Sequence, residues 1–411
     1  MKNLPHTRRE FIQMSATGIS LLSFGQFAPQ FLVQSAMAST PKAEKDRSIL
    51  VLVQLAGGND GLNTFIPYED SNYYKLRPTI GIKKKDALVI NDTHALHSSM
   101  IKMAELYKDG KMNIVQNVGY PNPNRSHFRS TEIWETGVDS DRTAPTGWVG
   151  RFLDNACSGM PSDTTDPLAV HMTNNTPQSF GGKNPHSTFG FAGRINRRDN
   201  EDTRKILENT YSNTGMEDDN SSFLKQTLMN TLVTERKVQQ KIDAYKPSYK
   251  YPTSNLASSL KNVAALVHSG FPTRVYFVSI GGFDTHSNQL NNHSNLLTQL
   301  SEALYSFQKD LEGHKLDKQV TTMTFSEFGR RPNENDSAGT DHGTAAPLFV
   351  LGSNIKGGVT GTSPSLKLQK NQDVEFTTDF RQVYSTMLDK WMNCPSEKIL
   401  WKKYKNLDII T

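Results

Sequence analysis

Apolar positions along this chain follow two rhythms. From Ser48 to Leu55 it reads Ser-Ile-Leu-Val-Leu-Val-Gln-Leu, an almost unbroken β-branched and aliphatic run that stops at Ala56-Gly57-Gly58. A run with no polar face predicts a strand covered on both sides. Met112–Val118, Arg274–Ile280, Val320–Phe325 and Pro347–Leu351 repeat the pattern. Between them, apolar residues spaced three and four apart predict helices over Ser98–Asp109, Trp148–Ala156, Ser254–Ser269, Gln289–Leu311 and Asp379–Trp391. Strands alternating with helices argue for an α/β fold, a three-layer sandwich around a mostly parallel sheet. The middle third departs from this rhythm. Thr173–Pro185 is rich in Asn, Gly and Pro, and Asp199–Tyr245 is polar and helical in spacing. About 173–250 therefore reads as a helical cap inserted into a single large domain.

The first residues carry a different message. Thr7-Arg8-Arg9-Glu10-Phe11-Ile12 is a twin-arginine pattern, followed by a short apolar stretch through Leu21, Leu22 and Phe24 and a small-residue cleavage site at Ala36-Met37-Ala38. The expectation is a signal peptide over 1–38, export by the twin-arginine machinery, and a mature domain over 39–411 in the periplasm or outside the cell. A net charge of +5 over 411 residues, with no dense Lys/Arg block, argues against a nucleic-acid partner, and no apolar run is long enough for a stable membrane span. Two cysteines, Cys157 and Cys394, are too few for a disulfide scaffold and read more readily as buried thiols than as a bridge.

In open α/β sheets, ligands bind beyond the carboxyl ends of the strands. The chemically active residues of this chain fall there. The first strand runs into Gly57-Gly58-Asn59-Asp60-Gly61-Leu62-Asn63, and the second leads to Arg125-Ser126-His127 at a predicted helix start, where free N–H groups favour an anion. The strand through Ile280 is followed by Gly282-Phe283-Asp284-Thr285-His286, and the strand through Phe325 by Ser326-Glu327-Phe328-Gly329-Arg330, with Gly339-Thr340-Asp341-His342-Gly343 soon after. Imidazole with carboxylate suits zinc or a similar transition metal. Taken singly, each segment also reads as a capped turn. Glu327 reads as a ligand, as an acceptor orienting a ligating His, or as a partner of Arg330. Of the other histidines, His97 is the one expected to come nearest the site.

These segments resemble a bacterial family of exported proteins, domain of unknown function fifteen-hundred-and-one, and through it the alkaline phosphatase and sulfatase superfamily. The resemblance implies an α/β/α sandwich with one or two divalent metal ions at the strand ends, zinc foremost and manganese or calcium as alternatives. It implies metal ligation by Asp60, Asp284, His286, Asp341 and His342. Two departures stand out. The superfamily's nucleophile position falls on His127, with Ser126 beside it, and no histidine follows His342 to complete a second metal site. Asp284 and His286 are also closer together than the superfamily's pair.

The expected activity is hydrolysis of phosphate or sulfate esters, on a small molecule or an anionic polymer. Ser126, His127 and Glu327 would do the chemistry, and Arg125, Arg330 and Asn63 would hold the substrate. The rival expectation is a catalytically inactive periplasmic metal-binding or assembly protein with the same fold. A redox enzyme is disfavoured, because the chain has no dinucleotide fingerprint and no cysteine set for haem or a cluster.

Overall fold

Strand β1 (Ile49–Ala56) shows why an unbroken apolar run was needed. Its residues Ile49, Val51, Val53 and Leu55 are buried in one apolar cluster, and Leu50 and Leu52 in another on the opposite face. The computed structural model describes residues 47–155, 166–184, 188–190, 234–369 and 372–411. The expected leader over 1–38, Cys157 and most of the expected cap lie outside the described residues.

Among the described residues, the main sheet contains nine strands. After β1 come β2 (Met112–Gly119), β3 (Ala169–His171), β4 (Thr188–Gly190), β5 (Val275–Gly281), β6 (Val320–Phe325), β7 (Ala346–Leu351), β8 (Gly358–Thr360) and β9 (Thr378–Asp379). Across the sheet the order is β8-β2-β7-β6-β1-β5-β3-β4, with β9 beside β2. The pairings of β1 with β5 and β6 are parallel, as are those of β5 with β3 and of β2 with β8. Among the described strands of this sheet, only β7 runs against its neighbours, β2 and β6. The Pro347–Leu351 run predicted a strand, but its apolar pattern is the same read in either direction.

Helices cover both faces. Helices α1 (Ile101–Lys108), α4 (Asn255–His268) and α5 (Gln289–Gly313) share the first apolar cluster, and α2 (His127–Thr136), α3 (Trp148–Leu153) and α6 (Phe380–Thr386) share the second. The fold is therefore the expected α/β/α sandwich. Trp134 of α2 stacks on Phe380 of α6 at 4.4 Å between ring centroids, and Trp148 on Tyr384 at 4.5 Å, which ties three helices together. A small antiparallel sheet of Phe65–Ile66, Ala95–His97 and Ala87–Val89 flanks the end of β1.

Two readings need correction. The 173–250 segment is not wholly an excursion from the sheet, since Thr188–Gly190 pairs in register with β3 as its edge strand. A three-residue strand is too short to show a period in sequence. Cys394, expected as a buried thiol, is disulfide-bonded. Among the described residues, no helix is long and apolar enough to cross a membrane.

The parallel strands β1, β5 and β6 all end on one edge. The loop entering the antiparallel β7 and the start of α2 reach the same edge, and the site is built there.

Candidate metal centre

The turn after β1 sets the floor of the site. Gly57 adopts φ 119°, and a Cβ there would lie 2.4 Å from the Asp284 backbone nitrogen, so only glycine lets the β1 and β5 loops touch. Its N–H donates to Glu327 Oε1 at 2.8 Å. Gly339 plays a similar part further on, because a Cβ would lie 2.2 Å from the His286 backbone.

Three imidazoles meet one carboxylate in this space. His127 opens α2, His286 follows β5, and His342 lies opposite Arg330 in a short antiparallel bridge. The Nε2 atoms of His286 and His342 are 3.0 Å apart, and each is 3.0 Å from Asp284 Oδ1. His127 Nε2 is 3.5 Å from Asp284 Oδ2. His127, Asp284 and His342 each bring a ligand atom within 4.8 Å of the other two.

The other ring nitrogens explain this geometry. His342 Nδ1 donates to the Arg125 carbonyl at 2.8 Å, and a carbonyl can only accept. His286 Nδ1 faces Asp341 Oδ1 at 3.1 Å. His127 Nδ1 faces Glu327 Oε1 at 2.9 Å, an oxygen that already accepts the Gly57 N–H. Each Nδ1 thus faces an acceptor, and the tautomer protonated at Nδ1 turns its Nε2 lone pair inward. Converging lone pairs and a carboxylate repel one another unless a positive charge sits among them. A proton relieves one such pair; a divalent cation relieves all of them. Tetrahedral zinc–nitrogen bonds of 2.0–2.1 Å imply ligands roughly 3.3 Å apart, close to the 3.0 and 3.5 Å between the imidazole nitrogens and Asp284. The residues fit a transition-metal ion.

The family profile described as protein of unknown function (DUF1501) matches residues 47–399. The chain belongs to this family. No curated protein matches it. Among solved structures, the C-terminal periplasmic domain of EcEptC from Escherichia coli in complex with Zn is 10% identical with a TM-score of 0.36, covering 76% of this chain and 74% of that one. A Vibrio parahaemolyticus protein in the alkaline phosphatase superfamily is 10% identical with a TM-score of 0.32, covering 82% and 72%. The PsFucS1 sulfatase from Pseudoalteromonas sp. is 9% identical with a TM-score of 0.37, covering 98% and 75%. Overlap this loose carries no argument about chemistry, which has to come from the site.

Within this DUF1501 chain the expected site residues separate into two groups. His127, Asp284, His286 and His342 converge. Glu327, with its side chain 3% exposed, and Asp341 stand behind the rings as orienting acceptors, so Asp341 faces the Nδ1 side of His286 and not the cluster. Burial raises the Asp284 pKa, but the Arg330 guanidinium and His342 outweigh it and hold the carboxyl down at about 2. In Asp341, burial is outweighed by Asn335 and His286 and the net shift is downward.

Asp60 and Asn63 lie away from the cluster, and Arg330 braces it through Asp284. Asp60, expected as a ligand, is fully buried, and its Oδ2 takes Arg77 Nη1 at 2.6 Å and the Gln289 amide. Burial alone would raise its pKa, yet Arg77 reverses the sign. Its cation is therefore a guanidinium supplied by the chain. Asn63, expected to face substrate, is buried against the Ile80 carbonyl, Tyr73 and Arg77. Arg330 is also no substrate hand. Its buried guanidinium donates to the carbonyls of Gly58 at 2.7 Å, Thr340 at 2.8 Å and Phe283 at 3.0 Å, to the Gly57 carbonyl, and to Asp284 Oδ1 at 2.6 Å.

Ser126 is the exposed N-cap residue of α2, and its hydroxyl makes no capping bond. Arg125 pairs with Asp373, and both burial and the nearby Arg331 charge press its pKa down. His97 stays on the Asp60 side, its ring 6.0 Å from that of the buried His293. Arg77 and Asn335 carried no motif signal, and Phe328 stood in the Ser326–Arg330 segment with no role assigned to it. Phe328 forms the apolar wall, 4.6 Å from the His342 ring and 4.9 Å from that of His127.

Proposed function

We propose that this protein is an exported hydrolase of phosphate or sulfate esters that works with one divalent metal ion. The observation behind the reading is the ring of inward-turned imidazole nitrogens around Asp284, each ring oriented from behind by its own acceptor. His127, Asp284 and His342 would hold the ion, with His286 as the fourth donor. Three nitrogens and one oxygen favour zinc over manganese or calcium. A bound ion supplies Lewis-acid polarisation of an ester oxygen.

The chain's own groups do the rest. The first-turn N–H groups of α2 have no intrahelical partner and offer donors to an anionic ester. Glu327 and Asp341 keep the imidazoles aligned, and Phe328 keeps water from the inner side of the rings. The Ser126 hydroxyl, exposed at the N-cap of α2, would serve as the nucleophile. A single ion is proposed because Arg77 already neutralises Asp60. Export accords with the disulfide at Cys394, since such bonds persist in oxidising compartments, and with the twin-arginine pattern.

The test is to load the purified mature protein with Zn²⁺, Mn²⁺ or Ca²⁺, measure metal per chain, and assay phosphate mono- and diesters and sulfate esters. One ion per chain with turnover is expected. A folded protein that binds no metal would overturn the reading. A second reading, a metal-holding protein without turnover, draws on Ser126, whose exposed hydroxyl has no hydrogen-bonded base among the described residues. Stoichiometric metal with inactivity on all three ester classes would establish it.

A further inference from the structure

Next to the imidazole cluster, two arginines from separate loops share one carboxylate. Arg125 Nη2 pairs with Asp373 Oδ2, and Arg331 Nε lies 4.0 Å from Asp373 Oδ1. Both arginines are tied to the cluster through their backbones. The Arg125 carbonyl accepts from His342 Nδ1 at 2.8 Å, and the Arg331 N–H donates to the Asp341 carbonyl at 2.9 Å. The arginine side chains are 43% and 30% exposed, whereas that of Asp373 is 8% exposed. Asp373 Oδ1 is buried without a hydrogen-bond partner, so this carboxylate fills the space between the guanidiniums without satisfying them both. Two cations facing one incompletely bonded carboxylate form an anion site with a weak occupant.

We propose that Arg125 and Arg331 form a second anion subsite beside the metal centre, which Asp373 occupies in the free protein and an anionic group of the substrate takes by displacing it. The proposal rests on the hydrolase reading and narrows it. The favoured substrate carries, besides its scissile ester, another sulfate, phosphate or carboxylate, as an anionic polymer does. A fixed intramolecular carboxylate lowers apparent affinity by the fraction of time the subsite is free. Removing its charge should therefore tighten anion binding without any change in the arginines.

The probe is inorganic sulfate, titrated calorimetrically into chelator-treated, metal-free protein, so that neither metal nor turnover enters the readout. Asp373→Asn should bind sulfate at least about tenfold more tightly than wild type, and adding Arg331→Gln should abolish the gain. Equal affinity in wild type and Asp373→Asn would overturn the proposal, as would a gain that survives Arg331→Gln. Should Asp373→Asn fail to fold, Arg331→Gln alone decides the matter. It should erase the rise in melting temperature that sulfate gives wild type, and an undiminished rise refutes the subsite. A protein that passes these tests yet hydrolyses no ester keeps the subsite and loses the hydrolase reading.

Discussion

Replacing Arg330 with Met tests whether a buried guanidinium organises the site. The substitution keeps an unbranched, flexible side chain and removes every donor. In the native protein that side chain is fully buried and joins the loops after β1 and β5 to the Thr340 carbonyl. Hydrogen bonds from a charged donor contribute roughly 1.5–3 kcal/mol each, but the four to backbone carbonyls share a single charge and do not add. The bond to Asp284 is discounted, because that carboxyl is 46% exposed and water replaces the lost partner. A buried carbonyl left unpaired costs about 1–3 kcal/mol, so with four of them a loss of about 4 kcal/mol is expected. With an unfolding entropy of about 2 cal/mol/K per residue, that loss lowers the melting temperature by roughly 5 °C in a domain of this size. The assay is urea and thermal unfolding in chelator, which removes any contribution from metal. A loss below about 1 kcal/mol would show that the loops do not depend on Arg330 and would refute the reasoning.

Four further outcomes are expected. Glu327→Gln should weaken zinc binding about 10–100-fold in a chelator competition, because the His127 ring loses its anionic acceptor while the fold keeps an isostere. Asp284→Asn should remove bound metal while Asp60→Asn leaves metal per chain unchanged, as read by elemental analysis. Arg77→Met should destabilise by about 3–5 kcal/mol in urea, with Asp60→Asn restoring part of it, since the single change strands a buried carboxylate. Glu135 gives a pH signature: it is 7% exposed, and burial pushes its carboxyl up to about 7 despite the Ser179 and Gln178 N–H groups. The native state then binds a proton that the unfolded state releases, so stability falls as pH rises from the ordinary glutamate value to about 7. Glu135→Gln should match wild type near pH 5 and exceed it by up to about 3 kcal/mol at pH 8 in urea midpoints.

Much of the frame was legible because strands buried on both faces leave an unbroken apolar record. Val320–Phe325 matches its predicted strand residue for residue, and β1 and β5 each fall within one residue of prediction. The rule that strand ends carry the chemistry then located His127, Asp284, His286 and His342 on one edge. What stayed hidden depends on which way a loop residue turns. Arg330 and Arg331 are adjacent and chemically identical, yet the bridge with His342 turns the first inward and leaves the second partly in solvent. No composition or spacing distinguishes them. The direction of β7 and the three-residue strands β3 and β4 were hidden for a similar reason, since their pairing is decided by neighbours far away in sequence.

Asp60 and Asp284 show why a motif alone misassigns a ligand. Both are aspartates just beyond the end of a parallel strand, and in sequence they carry equal claims. Their surroundings differ in access to water. Asp60 has no exposed surface, so an ionised carboxylate there must be neutralised as the chain folds. Arg77, 17 residues further on, returns to supply it. The Asp284 carboxyl is nearly half exposed, with one oxygen on Arg330 and the cluster of imidazole nitrogens open at the rim. Such a site can fold first and take its cation afterwards. Depth below the surface, which sequence does not record, therefore separates a carboxylate that holds the fold from one left open to the imidazole cluster and the solvent.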